Sequence, residues 1–247
     1  FRIRAQKGQK LVMQVYARHL IPYLADAVPG WFQATIRLFD PRKKEIAFVD
    51  DYRFHPDPVL LFEVPADGEY ELEIHDAIYR GREDFVYRVA IGEFPFITQM
   101  YPLGGKMGTE SEVNISGWNL DAKKFTLDTR PGLGQIRLAN LVQGDAVSNT
   151  IPYAVDMIPE AFEKEPNDRI GEAQKIFLPR IVNGRINKPG DVDVFAFDAE
   201  AGDEFIAETY ARRLYSPIDS LIRLTDDAGN VLEWNDDYEQ KDGHLHM

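Results

Sequence analysis

The chain lacks cysteine, long apolar runs and an excess of basic residues, and each absence excludes a class of protein. None of its 247 residues is Cys, which excludes disulfides, thiol catalysis and cysteine-ligated zinc. No apolar run approaches the roughly 18 residues that a membrane-spanning helix needs, so we expect no membrane insertion. The formal net charge is −13, which argues against a nucleic acid partner because phosphate binding needs a basic surface.

The sequence also offers little that points to catalysis. Its five histidines are scattered, and none has a neighbouring serine in the pattern of a nucleophile elbow. Gly132-Leu-Gly134 lacks the third glycine and the strand–helix setting of a dinucleotide-binding loop. We therefore expect that this chain is not an enzyme.

The chain contains part of itself twice. Residues 1–20 align with 195–214, with seven identical positions. Residues 35–52 align with 221–238, again with seven identities. Because an internal repeat determines architecture, we predict two copies of one module. We expect the first copy to lack its front part and the second its back part, and such incomplete sheets should have unpaired strand edges.

Strand signals dominate the rest of the sequence. Short alternating or apolar runs are separated by Gly, Pro and Asp turns. In the run EYELEIHD, the side chains of Tyr70, Leu72 and Ile74 share one face of a strand and glutamates occupy the other. This pattern predicts an all-β fold of antiparallel sandwiches. Helix is expected only as short turns, one in the insert after residue 20 and one at 168–176.

Residues 93–159 differ from both copies and follow a pattern of their own. The pattern is a Pro, an apolar strand, a Pro-x-Gly-Gly turn, a Gly-Thr pair and a strand that ends in Gly-x-Asn-Leu. The residues that match it are Pro95, Pro102, Gly104, Gly105, Gly108, Thr109, Gly117, Asn119 and Leu120. This segment resembles an IPT/TIG domain, which implies an immunoglobulin-like β-sandwich between the two copies.

The two copies carry a different set of short motifs. In the second copy they are EPND at 165–168, Val182, Gly184, DVDVF at 191–195, Gly202, Asp219, Gly229 and NDD at 235–237. In the first copy they are Gly8, Asp50-Asp51, the turn PADGEY at 65–70 and a final hairpin at 79–92. Their order and spacing resemble bacterial pre-peptidase C-terminal (PPC) domains, which are jelly-roll-type β-sandwiches of secreted enzymes and large exported proteins.

The two resemblances together imply three domains. Residues 1–92 would be a PPC-like β-sandwich without its N-terminal part, and 93–159 the immunoglobulin-like domain. Residues 160–247 would be a second PPC-like β-sandwich without its C-terminal part. The expected fold is thus all-β, with an immunoglobulin-like sandwich between two incomplete jelly-roll-type modules.

The strongest candidate for a binding site is the acidic segment EKEPND together with the triplet DVD. Calcium prefers about six to eight oxygen ligands, which clustered carboxylates and a side-chain amide can supply. The collagen-binding modules of some bacterial collagenases are similar to PPC domains and bind calcium through such segments. That resemblance assigns as metal ligands Glu163, Glu165, Asn167, Asp168, Asp191 and Asp193. Gly190 stands where that subfamily has a further Asp.

Another interpretation of the same segment stays open. EPND could form a turn whose Asn167 or Asp168 caps the N-terminus of a following helix.

Two other repeated features predict structural roles. An Asp pair recurs together with an Arg, as Asp50-Asp51 with Arg18 and as Asp236-Asp237 with Arg212, which predicts an ion pair that links two strands. A surface metal site at the Asp pair is the alternative. Trp234 aligns with Phe48, which favours a place in the core.

The resemblance implies a non-catalytic accessory or spacer role in a large exported bacterial protein, which is secreted, periplasmic or at the cell surface. Calcium is the candidate stabilising ion, and the other domains of the parent protein are the expected partners. Two alternatives stay open. One is a region that binds an extracellular protein or polysaccharide. The other is part of a secreted peptidase or other hydrolase whose catalytic domain lies outside this chain.

Overall fold

The computed structural model of the chain describes residues 1–19, 32–238 and 241–247. The protein is all-β, with 45% of its residues in strands and 3% in helices, which confirms the expected fold class of β-sandwich modules. The turn predicted in the insert after residue 20 lies outside the described residues. Within the described ranges, no helix is long and apolar enough to cross a membrane.

In the described residues of the first copy, 1–19 and 32–92, the chain forms seven strands. They are β1 (Arg2–Ala5), β2 (Lys10–Tyr16), β3 (Ala34–Phe39), β4 (Glu45–Val49), β5 (Val59–Glu63), β6 (Gly68–Asp76) and β7 (Arg88–Gly92). Two sheets result, in the orders β1-β6-β3-β4 and β5-β2-β7. Apolar residues of both sheets, among them Met13, Ile36 and Leu72, form one buried cluster. The predicted alternation along β6 is confirmed, since Tyr70 and Leu72 are each 2% exposed.

The middle part of the chain contributes eight shorter strands. They are β8 (Phe96–Tyr101), β9 (Gly104–Lys106), β10 (Ser111–Trp118), β11 (Lys124–Leu127), β12 (Ile136–Ala139), β13 (Val142–Gln143), β14 (Ala146–Val147) and β15 (Ile151–Asp156). Their sheet orders are β11-β10-β8, β12-β15-β9 and β13-β14. Val113, Tyr153 and Val155 are buried.

The described residues of the C-terminal part, 160–238 and 241–247, form eight more strands and two single 3₁₀ turns. The strands are β16 (Glu160–Phe162), β17 (Gln174–Lys175), β18 (Ile181–Asn183), β19 (Phe195–Ala196), β20 (Ile206–Glu208), β21 (Ile222–Thr225), β22 (Val231–Asn235) and β23 (His244–His246). They pair as β16-β18, β17-β19, β20-β23 and β21-β22. The turns are Ile170–Glu172, where a short helical turn is predicted, and Arg212–Leu214.

The chain divides into two compact units. One comprises Phe1–Thr98, Gly117–Asp121 and Val142–Asn149, and the other Gln99–Ser116, Ala122–Leu141 and Thr150–Met247. The first unit contains the whole first copy of the repeat, and the second contains the whole C-terminal part. The division into domains at 1–92, 93–159 and 160–247 stays a prediction.

The repeat is present in the backbone as well as in the sequence. β2 pairs with β5 so that Met13 faces Leu60, and β20 pairs with β23 so that the equivalent Ala207 faces Leu245. The ladders β3–β4 and β21–β22 also share one register. Both ladders shift register at the same place, after Leu38 and after Leu224.

A buried aspartate holds the same bend in both copies. The backbone N–H groups of residues 17, 18 and 19 donate to the carboxylate of Asp57 at 2.8–2.9 Å. The N–H groups of residues 211, 212 and 213 donate to Asp242 at 2.7–3.3 Å. Both aspartates lie beyond the aligned sequence blocks, so the structure extends the repeat by a position that the sequence comparison missed.

Two predictions about repeated residues are wrong. Phe48 and Trp234 are not in a core, since they are 48% and 54% exposed. Each lies opposite an arginine on the outer face of its sheet, because residues that pair across strands share a face. The predicted ion pair is wrong for the second copy, where Arg212 pairs with Asp219 at 3.6 Å rather than with Asp236 or Asp237, and it stays a prediction for Arg18 with Asp50-Asp51.

Candidate metal centre

Two parallel strand pairs bring the acidic segments of the C-terminal part together. β16 runs beside β18, and the N–H of Glu163 continues that ladder by donating to the carbonyl of Asn183 at 3.0 Å. β17 runs beside β19, and just before β19 the N–H of Val194 donates to the carbonyl of Asn167 at 2.9 Å. The segment EKEPND therefore lies directly beside the segment DVDV.

The five predicted carboxylates converge in two overlapping groups. In one group a carboxylate oxygen from each of Glu163, Glu165 and Asp193 lies within 4.8 Å of the others. In the other group the same is true of Glu165, Asp168 and Asp191. Glu165 belongs to both groups, so all five residues form one cluster. Among the described residues these are the two acidic groups with such spacing.

One oxygen of each of four carboxylates is buried without a hydrogen-bond donor. These atoms are Glu163 Oε1, Asp168 Oδ1, Asp191 Oδ1 and Asp193 Oδ1. Asn167 is fully buried, and both atoms of its amide also lack a partner. A buried polar atom without a partner costs about 1–3 kcal/mol, and buried charges normally are paired or coordinate a metal. The cluster thus has buried ligand atoms without a hydrogen-bond partner at all the predicted positions except Glu165, and at Asp191 that atom has the Lys188 ammonium 3.4 Å away.

The remaining oxygens are fixed by neighbouring donors. Glu163 Oε2 accepts the N–H of Arg185 at 2.6 Å, and Asp191 Oδ2 accepts the N–H of Asn187 at 2.5 Å. Glu165 accepts both the N–H of Asn167 and the side-chain amide of Asn187 at 3.2 Å. The protein therefore orients these carboxylates through one set of contacts and leaves most of the cluster with an oxygen for another ligand.

Burial and the neighbouring carboxylates raise the pKa of Asp193. Burial and the repulsion of Glu163 raise that pKa from the ordinary 3.8 to about 7. Asp191 shows the opposite effect, because the N–H of Asn187 and the ammonium of Lys188 lower its pKa although burial opposes them. An added cation would remove the repulsion at Asp193 and would favour its ionised form.

Sequence reasoning did not assign Lys188 or Gly184 to this centre. The Lys188 ammonium lies 3.0 Å from Asp168 and 3.4 Å from Asp191, so one protein cation already neutralises part of the cluster. Gly184 leaves the space into which two carboxylates project. A Cβ at this position would lie 3.1 Å from Asp193 Oδ2 and 3.2 Å from Glu163 Oε2. The turn NKPG before Asp191 was the available signal for a constrained loop at Lys188.

The alternative of a helix cap does not hold for this segment. The 3₁₀ turn Ile170–Glu172 follows Arg169, and no side chain caps it. The side chain of Asn167 makes no hydrogen bond within the described part of the chain. The donor set consists of carboxylate oxygens with an amide on the same segment, which are the ligand types that hard cations such as Ca²⁺ prefer. The residues present therefore fit calcium, with Glu163, Glu165, Asp168, Asp191 and Asp193 in reach of one another.

Comparison with known proteins identifies a distant relative of protease type. A probable subtilase-type serine protease of Deinococcus radiodurans is 32% identical over 111 residues, which cover 41% of this chain. The chain matches only 15% of the length of that relative. No family profile matches the chain. No solved structure matches it either. The similarity thus relates a part of this chain to a part of a larger protein that is described as a protease.

Proposed function

We propose that this chain is a non-catalytic accessory region of a larger exported bacterial protein of protease type, and that a calcium ion stabilises its C-terminal part. The observation that carries the calcium proposal is the set of buried oxygens without donors on Glu163, Asp168, Asp191 and Asp193. The partial similarity to a subtilase-type protease supports the accessory role. In this proposal the chain consists of PPC-like and IPT/TIG-like domains, and catalysis belongs to a domain outside it.

Calcium would act here as a structural ligand. It would join the segment before the 3₁₀ turn to the segment before β19, because Glu163, Glu165 and Asp168 lie on the first and Asp191 and Asp193 on the second. A cation that binds the native state alone stabilises it by about 2.7 kcal/mol when its concentration is 100 times the dissociation constant. An accessory domain outside the cell, where calcium is abundant, would then be most stable where it works.

The experiment is thermal unfolding and calorimetric titration of the whole chain with Ca²⁺, with Mg²⁺ and with chelator. We expect Ca²⁺ to raise the unfolding temperature and to bind with measurable heat, and Asp193→Asn and Glu165→Gln to abolish both effects. The matched control is Asp227→Asn, since Asp227 is exposed and outside the cluster. Absence of binding at millimolar Ca²⁺, or equal binding by the Asp193 and Asp227 variants, would refute a metal centre here.

A separate assay tests the accessory role. The purified chain is incubated with casein in the presence of Ca²⁺, and we expect no hydrolysis. Hydrolysis that copurifies with the chain and is stopped by a serine-protease inhibitor would overturn the proposal. This outcome does not depend on whether the metal centre binds calcium, so the two parts of the proposal fail independently.

A further inference from the structure

A tyrosine of the middle part of the chain contacts the loop beside the candidate metal centre. This residue, Tyr101, is the last residue of β8. Its hydroxyl donates to the carbonyl of Asn183 at 2.9 Å. The guanidinium of Arg185 lies over the Tyr101 ring, 3.7 Å from the ring centroid. All three residues belong to one compact unit, which includes Gln99–Ser116 and Thr150–Met247.

The same short segment, residues 183–185, also holds a candidate metal ligand. The carbonyl of Asn183 accepts the N–H of Glu163 at 3.0 Å in addition to the Tyr101 hydroxyl, so both of its lone pairs are used. The N–H of Arg185 donates to Glu163 Oε2 at 2.6 Å. Segment 183–185 therefore lies between Tyr101 and Glu163 and is hydrogen-bonded to both.

Gly184 brings this segment against a second candidate ligand. A Cβ at Gly184 would lie 3.1 Å from Asp193 Oδ2 and 3.2 Å from Glu163 Oε2. The site thus has room for a glycine beside these carboxylates but little room for the backbone to move toward them. A movement away from them would break the hydrogen bonds to Glu163. The position of segment 183–185 therefore limits where the carboxylates of Glu163 and Asp193 can lie.

From these contacts we infer that Tyr101 is a positioning residue of the metal centre, and that it couples calcium binding to the attachment of the C-terminal part to β8. The inference rests on the proposed function, since it requires calcium at this centre. Tyr101 acts through segment 183–185. Its hydroxyl and ring hold Asn183 and Arg185, and these two residues orient the Glu163 carboxylate, whose buried Oε1 has no hydrogen-bond partner.

Such a coupling acts in both directions, because the free energy that links two binding events is reciprocal. Tyr101 helps to hold Glu163 in the orientation that the ion needs. A bound ion that fixes Glu163 must then hold segment 183–185 more firmly against Tyr101. Calcium would thereby regulate how tightly the end of β8 is joined to the C-terminal part. The joint would be firm where calcium is abundant and looser where calcium is scarce.

The test is calorimetric titration of the whole chain and of its variants with Ca²⁺. Tyr101→Phe keeps the ring but removes the hydroxyl, and we expect it to weaken Ca²⁺ binding roughly threefold. Arg185→Ala removes the cation above the ring and keeps the N–H that Glu163 accepts. It should weaken binding by a similar factor, and Arg185→Lys should restore most of the loss. Tyr101→Ala combined with Arg185→Ala should bind no more weakly than Tyr101→Ala alone, because both substitutions remove one shared contact.

Tyr153→Phe is the matched control for Tyr101→Phe. The Tyr153 hydroxyl donates to the carbonyl of Asp128 at 3.0 Å, elsewhere in the middle part. The control variant thus loses the same kind of hydrogen bond. It should also lower the unfolding temperature, but it should leave calcium affinity unchanged. This comparison separates the positioning of a ligand from a general loss of stability.

Hydrogen exchange measures the reciprocal effect at β8. In the original chain, Ca²⁺ should slow exchange of the backbone amides of residues 99–103 roughly threefold, which is the factor expected for calcium affinity. In Arg185→Ala the same amides should respond less to Ca²⁺. The amides of residues 124–127, in β11, should exchange equally with and without the ion and serve as the internal reference.

The outcomes distinguish this inference from the proposed function. Calcium affinity that is the same in the original chain, in Tyr101→Phe and in Arg185→Ala would overturn the inference and leave the calcium site in place. An equal loss of affinity in Tyr153→Phe would overturn it as well, because the effect would then be one of overall stability. Absence of calcium binding by the original chain would refute the metal centre itself, and the inference with it.

Discussion

Replacing Asp57 or Asp242 with asparagine should loosen the bend that each carboxylate holds in its copy of the repeat. Three consecutive backbone N–H groups donate to each of these aspartates. Asparagine has the same shape but only one acceptor oxygen, and its amide N–H₂ group would face the backbone donors. At least one buried N–H in each bend would then lose its partner.

The structure predicts different losses of stability for the two substitutions. A hydrogen bond to a charged group contributes about 1.5–3 kcal/mol, so loss of one or two bonds predicts about 2–4 kcal/mol for Asp57→Asn. Asp242 has an additional partner, since Nε of the buried Arg213 donates to it at 2.8 Å. Breaking a buried ion pair costs about 3–5 kcal/mol, although Glu208 still faces Arg213 at 2.8 Å. Asp242→Asn should therefore be the more damaging of the two.

Hydrogen exchange measured by mass spectrometry resolves the two bends separately. A loss of about 2–4 kcal/mol in local stability should accelerate exchange of the affected amides roughly 30- to 700-fold. In Asp57→Asn the acceleration should appear at residues 17–19 and not at 211–213. In Asp242→Asn it should appear at residues 211–213 and not at 17–19. Each variant is thus the control for the other.

The reasoning would be refuted by exchange that changes less than about threefold at the bend next to the substituted residue. It would also be refuted if both bends responded equally to either substitution, because the effect would then be global unfolding rather than loss of a local anchor. A larger effect for Asp57 than for Asp242 would show that the ion pair with Arg213 contributes nothing to the second bend.

Two further predictions concern the acidic cluster. Because the pKa of Asp193 is raised to about 7 in the folded chain, its contribution to stability is fully present below about pH 4 and is lost as pH rises through 7. With chelator, the unfolding temperature should therefore fall between pH 4 and 7, and this fall should be smaller in Asp193→Asn. The increase in unfolding temperature that Ca²⁺ causes should be greater at pH 8 than at pH 5. Gly184→Ala should weaken calcium binding in a calorimetric titration, since its methyl group would lie about 3 Å from two ligand carboxylates. Gly171→Ala is the control, because no atom lies within 4 Å of the added Cβ, and equal effects of the two alanines would contradict the role of Gly184.

The strands were predictable from the sequence because their signal is local. Alternation of apolar and charged residues in β6 follows from the pleat alone, and the buried Tyr70 and Leu72 lie where that alternation puts them. The prediction for Phe48 and Trp234 failed because alignment of two aromatic residues shows that they are equivalent, not that they are buried. Their arginine partners across the strand carried the information, since cross-strand neighbours share a face.

The candidate site was predictable in its residue types but not in its geometry. The convergence of Glu163 with Asp193 depends on parallel pairing between strands that are far apart in sequence, and no local pattern specifies such a pairing. The contribution of Asn187 to the centre is largely a backbone N–H, which every residue except proline provides. Asp57 and Asp242 were not predicted for the same reason, because the three donors that define each bend are main-chain N–H groups, which no residue type identifies.

The two copies of the repeat retain what directs the backbone and change what fills the core. Gly8 and Gly202 both have positive φ, of 87° and 97°, a conformation that other residues adopt only with strain. Core positions differ between the copies, as where Met13 is replaced by Ala207, because apolar layers can adjust to changes in volume. A left-handed turn or a carboxylate that holds three N–H groups has no such freedom. The bends and the strand registers are therefore more similar between the two copies than the core residues are. For this reason the strand ladders have the same pairings in both copies, although only seven of 20 aligned residues are identical.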